Sequence, residues 1–148
     1  MALADESLAG HQSVVKLFST RIPLNVPDRM IEVLLHGLKN GSDKLLRQID
    51  EPLQKSVNRL LSRFFERAPA SFDYRGASLG NLVMTGAYLD HHKRLDPTAA
   101  LFSRLINSQG IARVSVDANL HLGAQLADGK VVLGQHRLTG KEVQAIQS

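Results

Sequence analysis

Arg75-Gly76-Ala77-Ser78-Leu79-Gly80-Asn81-Leu82-Val83 is the stretch on which the reading of this chain turns. Ser78 stands directly ahead of Leu79, Leu82, Val83 and Gly86, which share one helical face. Ser78 is therefore the natural N-cap of a helix, and Gly76 is a turn residue that lets the backbone bend tightly. A ligand at such a helix start would meet the amides of Leu79, Gly80 and Asn81. The helix dipole favours negative charge there, Gly80 offers no side chain to block approach, and Arg75 could add a bidentate donor. Arg75, Gly76, Ser78, Leu79, Gly80 and Asn81 are thus the candidate binding residues for a phosphate or other anion. The plainer reading is a capped helix beside a glycine, which needs no ligand. No residue in the chain declares itself a general base, and no catalytic residue is assigned.

Towards the N-terminus the chain is helical in pattern. Val14, Val15, Leu17 and Phe18 mark a first helix running to about Thr20 and interrupted near Gly10. No capping residue precedes Met1, so the chain reads as starting inside an element of a larger protein. Pro27 suits a first helical position, Ile31, Leu34, Leu35 and Leu38 recur at i, i+3, i+4, i+7, and Asn40-Gly41 supplies a stop, which predicts a helix over residues 27–39. Ser42 reads as the cap of a longer apolar-periodic run through Leu45, Leu46, Ile49, Leu53, Val57, Leu60, Leu61, Phe64 and Phe65, ending before Pro69. Pro52 lies inside it and predicts a kink or break at Asp50-Glu51. Arg47, Lys55, Arg59, Arg63 and Arg67 recur along this run as a basic stripe. It reads as a phosphate or nucleic-acid track or, more simply, as the solvated back of an amphipathic helix.

Beyond the motif helix, His91-His92-Lys93 places cations at a helix C-terminus. Asp96-Pro97 opens a further helix to about Ser108, closing at Gly110. Residues 111–117 are β-rich, and two more β-rich runs flank Asp128-Gly129, a strong hairpin signal. A two-residue turn would set Ala127 opposite Lys130 and His121 opposite His136, with Leu120, Leu122, Ala124 and Leu126 sharing a face with Val131 and Leu133. Two opposed histidines could hold a metal ion, but no third ligand stands at the expected spacing, and no metal site is assigned.

Composition limits the function classes. The 148 residues, 43% of them hydrophobic, suffice for one real core, so a single domain or domain fragment is expected over residues 1–148. The absence of cysteine excludes disulfides and thiolate chemistry and suits a reducing, cytoplasmic setting. The acidic N-terminus lacks the basic region of a signal peptide, and no apolar run approaches the roughly 18 residues of a membrane span. A formal charge of +4 and a pI near 9.7 suggest an anionic partner. Five phenylalanines, two tyrosines and no tryptophan make a poor base-stacking platform, so a nucleotide or phosphorylated small molecule is expected in preference to nucleic acid.

The residues also carry a resemblance. The segment from Gly76 to Val83, then Ile111-Ala-Arg-Val-Ser-Val-Asp, then Leu122-Gly-Ala-Gln-Leu-Ala-Asp-Gly-Lys-Val-Val-Leu-Gly-Gln, resembles the central region of the CofD/YvcK-like family. That family contains 2-phospho-L-lactate transferases and relatives called gluconeogenesis factors. Its Gly-x-Ser-x-Gly-Asn-Leu turn opens a helix and is matched by Ser78, Gly80 and Asn81. The residues Met1-Ala-Leu-Ala-Asp resemble those just after the family's Gly-Asp-Leu-Arg motif.

The resemblance implies an α/β, Rossmann-like fold. Here it would be reduced to a central portion with an α-rich N-terminal part, a helical insertion over residues 21–70, and the motif helix, a second helix and a C-terminal β-hairpin over residues 71–148. It implies a parent that transfers 2-phospholactate or a related phosphoryl ester from a nucleotide-activated donor, aided by a divalent metal such as Mg. The alternative it offers is a non-catalytic, nucleotide-sugar-binding regulatory module; a basic nucleic-acid binder is the third reading. The family's glycine-rich loop and Asp-Asp-Gly-Gly-type stretch would precede Met1, so a complete active site and unaided transfer are not expected of this chain, and a homo-oligomer is. Ala77 stands where the family usually carries His, which argues against identical substrate contacts.

Overall fold

The computed structural model describes residues 11–110, 113, 118 and 120–138. The chain divides into two units, Met1–Ser115 and Val116–Ser148. The first is helical among its described residues, and the second holds a small antiparallel hairpin. Among the described residues no helix is long and apolar enough to cross a membrane.

In the first unit, α1 (His11–Ser19) turns Val14, Val15, Leu17 and Phe18 into the core. Helix α2 (Asp28–Lys39) matches the expected span to within a residue, with Pro27 at the cap position, and buries Ile31 and Leu38. Gly41, at φ 73°, carries the chain out of it. The next cap differs from expectation. Asp43, not Ser42, receives the Leu45 amide at 2.8 Å and opens α3 (Lys44–Arg47). The carboxylate wins because Asp43 sits one residue nearer the free amides. The break expected at Asp50-Glu51 is present: Asp50 holds the N-cap position of α4 (Glu51–Arg67) without a side-chain cap, and Pro52 lies in its first turn, where a missing N–H leaves no bond unmade. Arg47 therefore belongs to a different helix from the rest of the basic stripe.

Helix α5 (Leu79–Asp90) is the centre of this unit. It buries Leu79, Gly80, Leu82, Val83, Gly86 and Ala87 and packs against α1, α4 and α6 (Leu95–Leu105). Apolar residues on both sides are what a helix needs when surrounded. Both α5 and α6 close in Schellman geometry. The Lys93 amide donates to the Tyr88 carbonyl at 2.8 Å, and the Ser108 amide to the Ser103 carbonyl at 2.8 Å. His92 and Asn107 occupy the left-handed position of each motif, at φ 53° and 46°. Asn107 thereby ends α6 at Leu105, short of the expected 108.

In the second unit, β1 (Gly123–Gln125) and β2 (Val131–Leu133) pair antiparallel, followed by α7 (Gln135–Leu138). The hairpin forms around Asp128-Gly129, but its register differs by one residue from the two-residue-turn expectation. Gly123 pairs with Leu133, Ala124 with Val132 and Gln125 with Val131. The Leu126 amide donates to Lys130 O at 2.8 Å, leaving Ala127, Asp128 and Gly129 as a three-residue loop with Gly129 at φ 84°. A third loop residue relieves the need for positive φ at Asp128, and the slip exchanges the faces. Gly123 and Gln125, not Ala124, now share a face with Leu133 and Val131, and His121 no longer opposes His136, which belongs to α7. The expected strand over 111–117 lies outside the described residues, Arg113 apart.

Candidate functional site

The segment that follows α1 runs antiparallel to the turn that precedes α5. The Ile22 amide donates to Ala77 O at 2.9 Å, the Gly76 amide to Ile22 O at 2.9 Å, and the Leu79 amide to Thr20 O at 3.0 Å. This short ladder, with Arg21 bridged to Ser78, fixes where α5 begins. Gly76 is the expected turn residue, at φ 71°.

The ladder alters the account of the free amides. Leu79 is buried and its N–H already has a carbonyl partner, so it is not available to a ligand. Ser78 holds the N-cap position but makes no side-chain cap. Its hydroxyl instead donates to Phe18 O at 3.2 Å. Gly80 does allow a close approach, though to the protein itself: a Cβ there would stand 2.7 Å from Phe18 O and 2.8 Å from Phe18 Cα. The signals read as ligand chemistry thus serve, in part, to seat the end of α1 on the start of α5.

The same residues nevertheless border an opening. An open cleft of about 410 Å³ lies before α5, lined by Arg21, Arg75, Gly76, Ser78 and Asn81, with Phe64 and Phe72 among its walls. Of the six sequence-predicted residues, Arg75, Gly76, Ser78 and Asn81 meet there, while Leu79 and Gly80 lie buried behind it. No acidic residue occupies the first turn of α5, so its positive end is not compensated from within the helix.

Sequence reasoning missed Arg21, Phe64, Phe72 and Thr85. Thr85 follows Asn81 by one helical turn and was legible from spacing. Arg21 was not: its guanidinium donates to Gly76 O at 2.6 Å across 55 residues of chain. Phe64, Phe72 and Tyr74 form an edge-on cluster, with Phe72 and Tyr74 centroids 4.8 Å apart, and burial pushes the Tyr74 phenol upward.

The cleft cations are not idle. Arg75 pairs with the Asp28 carboxylate at the start of α2, bonds Asp73 at 3.2 Å and Val26 O at 3.3 Å, and is held above its ordinary value by the hydrogen bond to Asp28. Asp73 also accepts the Arg75 amide at 3.0 Å. The basic stripe is similarly engaged. Lys55 pairs with Glu51 at 2.7 Å, Arg47 donates to Ser42 O at 2.8 Å, Arg59 pairs with Asp90, and Arg63 bonds both Asp90 at 3.2 Å and Glu66 at 3.1 Å.

No protein-family model, curated protein or solved structure matches the chain.

Proposed function

We propose that this chain forms part of a CofD-like nucleotide- or phospho-ligand-binding protein, receiving an anionic group in the cleft before α5. The observation that carries the reading is the convergence of Arg21, Arg75, Ser78 and Asn81 on one opening at a helix start with no acidic first-turn residue. Two guanidiniums beside a helix start with no acidic residue in its first turn favour phosphate oxygens over neutral ligands. On this reading the parent has the Rossmann-like fold of that family, and Ala77, in place of the family's usual His, sets a different contact with the ligand.

Within the cleft the role is binding. Asp73 is the one carboxylate among the described lining residues, and its Oδ1 accepts two bonds from Arg75, which commits it to holding the arginine and the turn. This supports the non-catalytic, regulatory branch for the chain by itself. Phosphoryl-ester transfer belongs to a parent that supplies the donor loop. Among the described residues no group of three or more histidines and carboxylates converges as a metal ion would need. The divalent metal that the resemblance implies is a matter for the parent, and no step is derived through it.

The test is an NMR titration with inorganic pyrophosphate. Shifts should concentrate at the amides of Ser78 and Asn81, weaken with salt and flatten in Arg21→Ala plus Arg75→Ala. Shifts centred on Lys55, Arg59 and Arg63 would instead favour the nucleic-acid reading.

A further inference from the structure

Arg75 lines the cleft while its guanidinium is held by carboxylates of the chain itself, and the two carboxylates are not equivalent. Asp73 is tied to the turn through the Arg75 amide, at 3.0 Å, as well as through the side chain. Asp28 meets Arg75 through side-chain atoms alone, across 47 residues, and its side chain is 87% exposed. It also sits in the first turn of α2, where the helix dipole stabilises a carboxylate with or without an arginine. Removing the guanidinium from Asp28 would therefore strand no buried charge and leave Asp28 free to move, whereas Asp73 would stay tied to the turn by the Arg75 amide.

We propose that Asp28 is a built-in competitor for the anion site: its carboxylate occupies the Arg75 guanidinium, and an anionic ligand entering the cleft displaces it and frees the start of α2. The exchange conserves charge pairing, since one anion replaces another on Arg75 while Asp28 returns to water. Arg75 still holds Asp73 and the Val26 carbonyl, so the arginine stays in the cleft during the exchange. The result is a site tuned against weak monoanions. A ligand must outbid a local carboxylate, which favours groups that present more than one charged oxygen, such as a diphosphate. It also couples the cleft to α2, whose first turn is anchored at Pro27 O by the amides of Met30 at 2.9 Å and Ile31 at 3.2 Å.

This inference rests on the cleft reading above, and one experiment separates them. Pyrophosphate is titrated by NMR into the wild-type chain, Asp28→Asn, Arg75→Ala and the double variant. We expect Ser78 and Asn81 to shift together with Met30 and Ile31 at one apparent Kd. Asp28→Asn should bind about fivefold tighter, the size an exposed ion pair can oppose. That gain should vanish in the Arg75→Ala background, where Asp28 has no guanidinium to withhold. If Ser78 and Asn81 shift but Met30 and Ile31 do not, or Asp28→Asn binds as wild type, the competitor is overturned and the cleft stands. If no cleft amide responds in any variant, the cleft reading itself fails and takes the competitor with it.

Discussion

Gly86 of α5 lies so near Leu60 of α4 that a Cβ on it would stand 1.8 Å from the Leu60 carbonyl oxygen. The clash is with backbone, which cannot swing aside as a side chain can. Gly86→Ala should therefore cost about 3 kcal/mol or prevent the first unit from folding, since overpacking against a fixed helix forces the two axes apart. Urea denaturation followed by circular dichroism measures this. Thr85→Ala, at an exposed neighbouring position, should change stability by less than about 0.5 kcal/mol. Equal effects of the two would show that the α4–α5 contact is looser than described.

Much of the helical unit was legible because its signals are local. Pro27, Asn40-Gly41 and the apolar positions of α2 bound that helix within a residue, and Pro52 located the break before α4. The motif at Gly76–Asn81 was also found from sequence, but part of its meaning was not. That Gly80 receives the Phe18 backbone, and that the Leu79 amide faces Thr20, depends on a packing partner some 60 positions earlier in the chain, as the 3.2 Å bond from Ser78 to Phe18 O does. The hairpin illustrates the opposite limit. Asp128-Gly129 marks the turn correctly, yet two- and three-residue loops share that dipeptide, and the choice between them moves every cross-strand pair by one.

Asp90 accepts bonds from Arg59 and Arg63, joining the end of α5 to the exposed side of α4. The Arg59 hydrogen bond, ahead of the opposing effect of burial, holds the Asp90 carboxyl below the ordinary carboxylate range. A carboxylate lowered by folding stabilises above its unfolded pKa of roughly 4, and that contribution is lost as pH falls through the lower folded value. Asp90→Asn should cost about 1 kcal/mol at pH 7, because both arginines are half exposed and screened. Thermal unfolding as a function of pH should show the variant and wild type converging below pH ~3; a constant gap down to acid would assign the effect to shape rather than charge.

Gly129 has open space where a Cβ would be but a φ of 84°, so Gly129→Ala meets backbone strain and no collision. The cost should be about 1 kcal/mol and local to the hairpin. Hydrogen exchange should report it at the Leu126 amide, bonded to Lys130 O at 2.8 Å, and the Gly134 amide, bonded to Leu122 O at 2.7 Å. Unchanged protection at both amides would mean that the loop relaxes into a turn that tolerates a side chain.

Arg21 gives the sharpest discrimination between the cleft and the basic stripe, because it touches the first and is remote in sequence from the second. Its guanidinium donates to Gly76 O at 2.6 Å, so it is pre-placed at the cleft wall without a carboxylate partner among the described residues. Helix-terminus and exposed ionic contacts are worth on the order of 1 kcal/mol each, so pyrophosphate should bind no tighter than millimolar. Arg21→Ala removes one full charge from the wall and should weaken that binding about fivefold. Lys55→Ala, nine residues and so about 13.5 Å of helix rise from Phe64 along α4 and outside the lining, changes the same net charge and should leave affinity within about twofold, since at 0.15 M salt charges more than roughly 8 Å apart are largely screened. Calorimetric or NMR titrations of both variants at two salt concentrations decide the matter. Equal losses in the two would reduce the cleft to a bystander of overall positive charge, and a larger loss in Lys55→Ala would move the anion site to α4.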